Sequence, residues 1–231
     1  METSKFLLQE LIQTKRDFFK LFEKLQNEYI INLKKYGKED ARCGFFGVSF
    51  ELVLWLMINL DNFSDFCKKK KILDGYIQNT YDDYQQYLIS YNTITRTSFL
   101  TRMMFNVEDF LKSTLTQLEQ SPNQKYHGLC KNYLKCLNYY EEKRHKIMSL
   151  PAQIRNSNHN GGFTEYPIDI IIRGISFKAD KGERIIFADW RRTYISLDTL
   201  FDLLIETIPL LEKLSFIPST YSKLWKQDPL S

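Results

Sequence analysis

The first part of the chain carries an apolar stripe at the spacing of an α-helix. Apolar side chains recur there in steps built from threes and fours: Leu11, Phe18, Phe22, Leu25 and Tyr29. Lys15 is the one interruption, and Gly37 is the first helix-breaking residue after the stripe. This repeat matches the 3.6-residue period of a helix and predicts one long amphipathic helix from about residue 8 to Gly37. A helix of that kind has to bury its stripe against other elements of the fold.

Helix-breaking residues are scarce along the whole chain. Nine glycines and six prolines occur among 231 residues, well below their combined average usage of roughly 12%. After a polar linker over 38–47, the apolar spacing predicts helices over about 49–66, 76–92, 96–119, 125–138 and 141–158. Pro151 is expected to kink the last of these helices or to mark a restart.

The apolar period changes from helical to alternating after residue 165. Ile168, Ile170 and Ile172 alternate with polar positions, and a second apolar group follows at 185–187. This pattern predicts a β-hairpin inserted at about 166–190, with Gly182 in its turn. A closing helix is predicted from Ser196, a residue suited to the N-cap, and an irregular tail over about 215–231. The predicted fold class is mainly α, a helical bundle in one domain over 1–231 with a small hairpin before the last helix.

Charge and cysteine content narrow the class of protein. A net charge of +4 is too small to indicate a nucleic-acid-binding protein. Binding to nucleic acid depends on whether positive charges cluster on one face of the protein rather than on the net charge. The four cysteines form no CxxC pair and no zinc-ligand spacing, so we expect no metal and no cofactor. The start of the chain has no secretory pattern, and the apolar stretch 45–60 is interpreted as a buried helix. A cytoplasmic protein without a membrane span is therefore predicted.

The segment 150–163 differs from the rest of the chain. An arginine, an imidazole, several amides and two glycines follow one another where an apolar helix is predicted to end. Arg155 and His159 are four residues apart and share one helical face. Arginine presents a fork of donors to phosphate oxygens, and histidine moves protons near neutral pH. The pattern is typical of a site for phosphate chemistry, including attack of an RNA 2′-hydroxyl on its own phosphodiester without a metal.

Candidate roles follow from these residue types. His159 is the candidate general base or acid, Arg155 the group that stabilises the developing charge, and Asn156 the residue that positions them. Three further residues are candidates for substrate binding: Ser157, Asn160 and Arg192. Arg191 and Arg192 follow Trp190, a combination suited to base stacking with phosphate contacts, although a buried tryptophan with two surface arginines is the plainer alternative. The motif residues also suit a simple helix cap.

The run Arg155-Asn156-Ser157-Asn158-His159-Asn160-Gly161-Gly162 resembles the RNxxHNxG variant of the motif of HEPN proteins. Three residues separate its arginine from its histidine, against the four to six of the usual family pattern. The resemblance implies a helical bundle and a metal-independent endoribonuclease of toxin–antitoxin or phage-defence type. It also implies a homodimer whose two motifs face one composite cleft, with RNA as substrate and an antitoxin or defence-system protein as a possible partner.

Two other functions fit the same residues. One is a non-catalytic helical dimer that binds RNA, nucleotide or a protein partner, and the other is a scaffold or antitoxin whose partner carries the activity. No Walker loop, GxGxxG or HExxH motif supports an ATPase, dehydrogenase or zinc protease. The remaining histidines receive plain interpretations, His145 with Arg144 on a solvated face and His127 in a structural role.

Overall fold

The computed structural model describes residues 2–68, 81–122, 124–159, 163–183 and 189–218. The described residues form six α-helices, one β-hairpin and a short 3-10 turn. Their bounds are α1 Glu2–Tyr36, α2 Ala41–Lys68, α3 Tyr81–Gln117, α4 Tyr126–Cys136, α5 Glu142–His159, β1 Ile168–Ile172, β2 Ile175–Ala179, α6 Trp190–Thr207 and the 3-10 turn Pro209–Leu211. The predicted fold class, a mainly α bundle with a small hairpin before the last helix, is confirmed.

Helix α1 lies along α2 and buries the stripe that predicted it. Leu11, Phe18 and Leu25 are fully or almost fully buried. The Phe18 ring meets the rings of Phe99 in α3 and Trp190 in α6 edge-on, with centroids 5.4 and 5.8 Å apart. Edge-to-face packing is favourable for aromatic rings, and here it brings three helices to one point of the core.

The predicted polar linker over 38–47 is wrong, because α2 begins at Ala41. Asp40 stands at the position of the helix N-cap, and its Oδ1 accepts a hydrogen bond from the backbone N of Arg42 at 2.9 Å. The same carboxylate accepts the Arg42 Nε and Nη2 groups at 2.8 and 2.7 Å, and both side chains are completely buried. Two polar residues therefore begin a helix within the core, where their charges compensate each other.

Two separate helices were predicted over 76–92 and 96–119. From Tyr81, where this described part of the chain begins, the structure has one continuous helix, α3. No glycine or proline occurs between these predicted segments to end the first of them. Asn92, the predicted boundary, is used in a tertiary contact instead, since its Oδ1 accepts a hydrogen bond from Trp190 Nε1 at 2.5 Å. Residues 76–80 lie outside the described part.

The hairpin is present, but its turn was predicted at the wrong place. Strand β1 pairs with β2 in antiparallel register, with Ile170 opposite Phe177. The turn is Arg173–Gly174, whose φ angles of 49° and 76° match the left-handed pair of a type I′ hairpin. Gly182 has the expected positive φ of 80° but lies after the hairpin, and the predicted second strand at 185–187 lies outside the described residues.

The closing helix α6 begins at Trp190, earlier than the predicted start at Ser196. Asp189 is its N-cap and accepts a hydrogen bond from the backbone N of Arg192 at 2.7 Å. Ser196 is buried inside the helix, where its hydroxyl donates to the Thr193 carbonyl at 2.9 Å. An aspartate was available one turn earlier than the predicted cap, and burial of Trp190 favours the longer helix.

Helix α5 runs through Pro151 without ending there. The predicted solvated face is wrong for His145, whereas Arg144 is partly exposed and pairs with Glu141 at 2.9 Å. His145 is 4% exposed, and its Nε2 donates to the backbone carbonyl of His127 at 3.0 Å. The charged residues that precede His145 are exposed or partly exposed, so a polar neighbourhood in sequence did not indicate the burial of this imidazole.

Helix α2 is the most apolar described helix. Its segment Ala41–Asp65 is long enough to cross a membrane and contains an 18-residue stretch with a mean hydropathy of 1.7, of which 39% is buried. Length and composition alone are weak evidence for a span, since a core helix meets the same test. Buried side chains such as Phe46, Val53 and Leu60 belong to the hydrophobic core between α1 and α3, which favours the interpretation as a core helix.

Candidate nucleic-acid site at the end of helix α5

The first five motif residues, Arg155 to His159, form the end of α5, and the last three lie outside the described residues. Upstream in this helix, Met148, Leu150 and Ile154 are buried in the core. Those apolar anchors fix the helix against its neighbours α3, α4 and α6. The polar end of the same helix therefore leaves the core in one defined orientation, with Arg155 and Asn156 half-buried at the surface.

A cleft of about 230 Å³ runs along this end of the helix. Five residues of α5 form one wall. The cleft is lined by Ser149, Ala152, Gln153, Arg155 and Asn156 of α5, Glu108 of α3, Lys125, Tyr126 and His127 at the start of α4, and Glu165 and Tyr166 before β1. Three helices and a loop thus contribute polar groups to one small concavity, as expected of a ligand site.

Arg155 is the most unusual charged group of the cleft. Its Nε and Nη2 donate to Asn156 Oδ1 at 2.9 and 2.8 Å. Its guanidinium carbon lies 5.8 Å from the ring centre of Phe105. Among the described residues, no carboxylate lies within ion-pair distance of this guanidinium. A neutral amide and an aromatic ring hold the group in place while leaving its charge available to an anion.

The carboxylates that line the cleft are paired with lysines. Glu108 accepts Lys112 Nζ at 2.7 Å, and Glu165 accepts Lys125 Nζ at 3.2 Å. These pairs compensate their own charges at the rim. The uncompensated charge of the cleft is therefore that of Arg155, which makes its inner end attractive to a phosphate.

The structure describes the other predicted residues to different extents. His159 is the last residue of α5, one turn beyond Asn156, and Ser157 lies between them; the side chains of both are outside the described part, as is Asn160 altogether. Arg192 does not line the cleft. It lies in the first turn of α6, and its Nη1 pairs with Asp189 Oδ2 at 2.5 Å. Its assignment to substrate binding stays a prediction.

Two aromatic residues of the cleft were not predicted from the sequence. The rings of His127 and Tyr166 are stacked, with centroids 5.0 Å apart and planes within 6°. The ring centre of His127 also lies 4.1 Å from that of His145, and its Nδ1 lies 3.3 Å from Ser149 Oγ. These residues come from α4, α5 and the segment before β1, and no local motif joins them, so only the tertiary fold brings them together.

The protonation of the cleft follows from burial and nearby charge. Burial lowers the pKa of His127 below its usual value, and the neighbouring His145 and Lys131 lower it further against the opposing effect of Glu142. His127 is therefore a neutral imidazole at neutral pH. Burial raises the pKa of Tyr126 well above its usual range, so its phenol remains protonated and donates to the Met148 carbonyl at 3.1 Å.

Within the described ranges, no group of three or more His, Cys, Asp or Glu side chains is placed as metal ligands would be. The comparisons of this chain with protein-family models, with curated proteins and with solved structures find no match. The HEPN-like motif therefore remains a prediction that rests on a short run of residues at the end of α5.

Proposed function

We propose that this protein is a metal-independent endoribonuclease whose site is the polar end of α5. The observation that carries the proposal is Arg155, a half-buried guanidinium held by Asn156 and without a carboxylate partner among the described residues. His159 follows one turn later in the same helix. Cleavage of a phosphodiester needs a cation that stabilises the negative charge on the phosphate and a group that transfers a proton, and these two residue types can supply both.

The proposed reaction is an internal transfer within the RNA. A general base takes the proton of the 2′-hydroxyl, and the 2′-oxygen forms a bond to the adjacent phosphorus. The bond from phosphorus to the 5′-oxygen breaks, and a general acid gives that oxygen a proton. The products are a 2′,3′-cyclic phosphate and a 5′-hydroxyl, so no water or oxidant is consumed. Arg155 compensates the extra negative charge on the phosphate oxygens, and His159 performs one of the two proton transfers.

A direct assay tests this reaction. The purified protein is incubated with single-stranded RNA in excess EDTA, and we expect cleavage at a rate similar to that in magnesium. The fragments should carry 2′,3′-cyclic phosphate and 5′-hydroxyl ends, which phosphatase and kinase treatments followed by mass spectrometry identify. RNA in which the 2′-hydroxyls are replaced by hydrogen is the matched control and should stay intact. Cleavage that stops in EDTA, or that leaves 5′-phosphate ends, would contradict the proposal.

The proposed active form is a homodimer. Two proton transfers need two groups, and a second copy would supply the second His159. Phe105, which lies against Arg155, is 56% exposed, a large apolar ring beside the proposed site. A solvent-exposed phenylalanine at this place suits an interface with another copy.

Replacing Phe105 by aspartate is expected to convert the dimer to a monomer and to lower RNA cleavage with it. The reason is that the substitution places a charged carboxylate where two apolar surfaces would meet. Light scattering after size-exclusion chromatography measures the mass. Ile171, which is 66% exposed on β1, is the matched control, and Ile171→Asp should leave both mass and cleavage unchanged. A wild-type protein that cleaves RNA as a monomer would remove the dimer from the proposal.

The second candidate is a module that binds RNA, nucleotide or a protein partner without cleaving. The observation in its favour is that two hydrogen bonds to Asn156 hold the Arg155 guanidinium in place, as in a static anion-binding site. Protein that retains RNA on a filter yet leaves it intact would select this candidate. The first proposal includes a role as a cytoplasmic toxin or phage-defence protein with an antitoxin-like partner, and this role rests on the motif alone. Co-purification of a partner protein from the source cells tests this role.

A further inference from the structure

The cleft beside Arg155 is also lined by residues that do not belong to the motif. Ser149 and Asn156 both line it and lie about two helical turns apart, which places them roughly 10 Å from each other along the axis of α5. Arg155 and Asn156 mark one end. His127, whose Nδ1 lies beside Ser149 Oγ, marks the other end together with Tyr166. The cleft thus has a cationic end and an aromatic end.

We infer that this cleft is a subsite for one nucleotide of the RNA, with the phosphate on Arg155 and the base stacked against the Tyr166 ring. The inference rests on the proposed function and deepens it by naming residues outside the motif. It concerns binding of the nucleotide and adds no chemical step.

The size of the cleft favours a small unit of the substrate. Its volume of about 230 Å³ is below the roughly 300–1,000 Å³ of pockets that hold drug-sized ligands. A single nucleotide unit is the part of a nucleic acid that such a space accommodates. The rest of the strand would have to follow the open surface of the protein.

The aromatic end is built to hold a flat ring. The Tyr166 ring is stacked on the His127 ring with their planes within 6°, and the His145 ring also contacts His127 at an angle of 56°. Tyr166 lines the cleft and is partly exposed. Each nucleobase has a π-face, and stacking on a protein aromatic ring is the usual way in which single-stranded nucleic acid is held without sequence preference.

The chain has three histidines, which makes the test direct. Their imidazole proton resonances are assigned with His127→Gln, His145→Gln and His159→Gln variants, and wild-type protein is titrated with adenosine 5′-monophosphate. We expect the His127 resonance to shift with saturation. Ribose 5-phosphate, which has the phosphate but no base, should shift it much less. A His127 resonance that AMP leaves unmoved, or that ribose 5-phosphate moves equally, overturns the inference.

Variants of Tyr166 separate stacking from folding. Tyr166→Leu is expected to weaken AMP binding about 10-fold, the size of one base–aromatic contact, whereas Tyr166→Phe keeps the ring and should bind like wild type. Tyr140 is the matched control, because its ring lies 5.9 Å from that of His145 but does not line the cleft. Tyr140→Leu should bind AMP normally. Equal binding by Tyr166→Leu and wild type also overturns the inference.

The two proposals fail in different ways. A protein that binds AMP at His127 and Tyr166 but leaves RNA intact would keep the subsite and refute the nuclease. A protein that cleaves RNA with the same KM after Tyr166→Leu substitution would keep the nuclease and refute the subsite.

Discussion

Replacing Arg155 by alanine is expected to lower the rate of RNA cleavage about 100- to 1,000-fold, the usual cost of removing one preorganised group that stabilises transition-state charge. The guanidinium is held by Asn156 and Phe105, so its position is set before substrate arrives. A lysine at this position keeps the charge but cannot reproduce the fork of donors. Arg155→Lys should therefore retain intermediate activity. Cleavage rates with single-stranded RNA in EDTA measure the series.

Arg144 provides the matched control for this substitution. It belongs to the same helix, but its guanidinium pairs with Glu141 and lies over the Tyr139 ring at 3.6 Å, away from the cleft. Arg144→Ala should leave cleavage unchanged, and thermal unfolding should show that Arg155→Ala is folded. His159→Ala is expected to lower cleavage at least as strongly as Arg155→Ala. Undiminished cleavage by both motif variants would refute the proposed mechanism.

Replacing Asp40 by alanine is expected to lower the free energy of unfolding by about 3–5 kcal/mol, the typical cost of leaving one charge of a buried pair without its partner. Asp40 and Arg42 have completely buried side chains. Besides Asp40, Arg42 donates from Nη1 to the carbonyls of Leu211 and Leu214 at 3.2 Å each, and its guanidinium lies 3.5 Å from the ring centre of Tyr36. The pair thereby joins the α1–α2 connection to the segment that follows α6.

Urea unfolding followed by circular dichroism measures this effect. The double variant Asp40→Ala with Arg42→Met should be more stable than Asp40→Ala alone, because it removes the uncompensated charge and fills the space with an apolar side chain. Glu212 is the control, since its pair with Lys35 is exposed on both sides, and Glu212→Gln should leave the unfolding midpoint almost unchanged. A midpoint for Asp40→Ala equal to that of wild type would show that the buried pair contributes nothing.

Helices with a strong apolar period were predictable, and their ends were less so. The stripe Leu11, Phe18 and Leu25 predicted α1 because side chains that share a face of a helix recur at a fixed spacing. The boundary near Asn92 was wrong because that side chain is used by Trp190 from a distant helix. The start of α2 was wrong because Asp40 and Arg42 resemble a polar linker in sequence, whereas in the fold each satisfies the other.

In the hairpin, too, one feature was predictable from the sequence and another was not. Alternation of Ile168, Ile170 and Ile172 was sufficient to predict a strand with one buried face. The alternation was not sufficient to predict which segment forms the second strand, because Gly174 and Gly182 both allow the left-handed backbone that a turn requires. Pairing with β2 after the Arg173–Gly174 turn buries Phe177 completely, and this burial decides the register.

The sequence by itself determined that the chain forms long helices, because helical periodicity is a local property that needs no knowledge of distant residues. It also determined which residues of the polar run at the end of α5 stand next to one another. Only the tertiary structure decided that Arg155 would share a cleft with His127 and Tyr166, and that Asp40 would be buried with Arg42. Contacts of this kind join residues from separate segments, and their energies depend on burial and on partners that no local pattern contains.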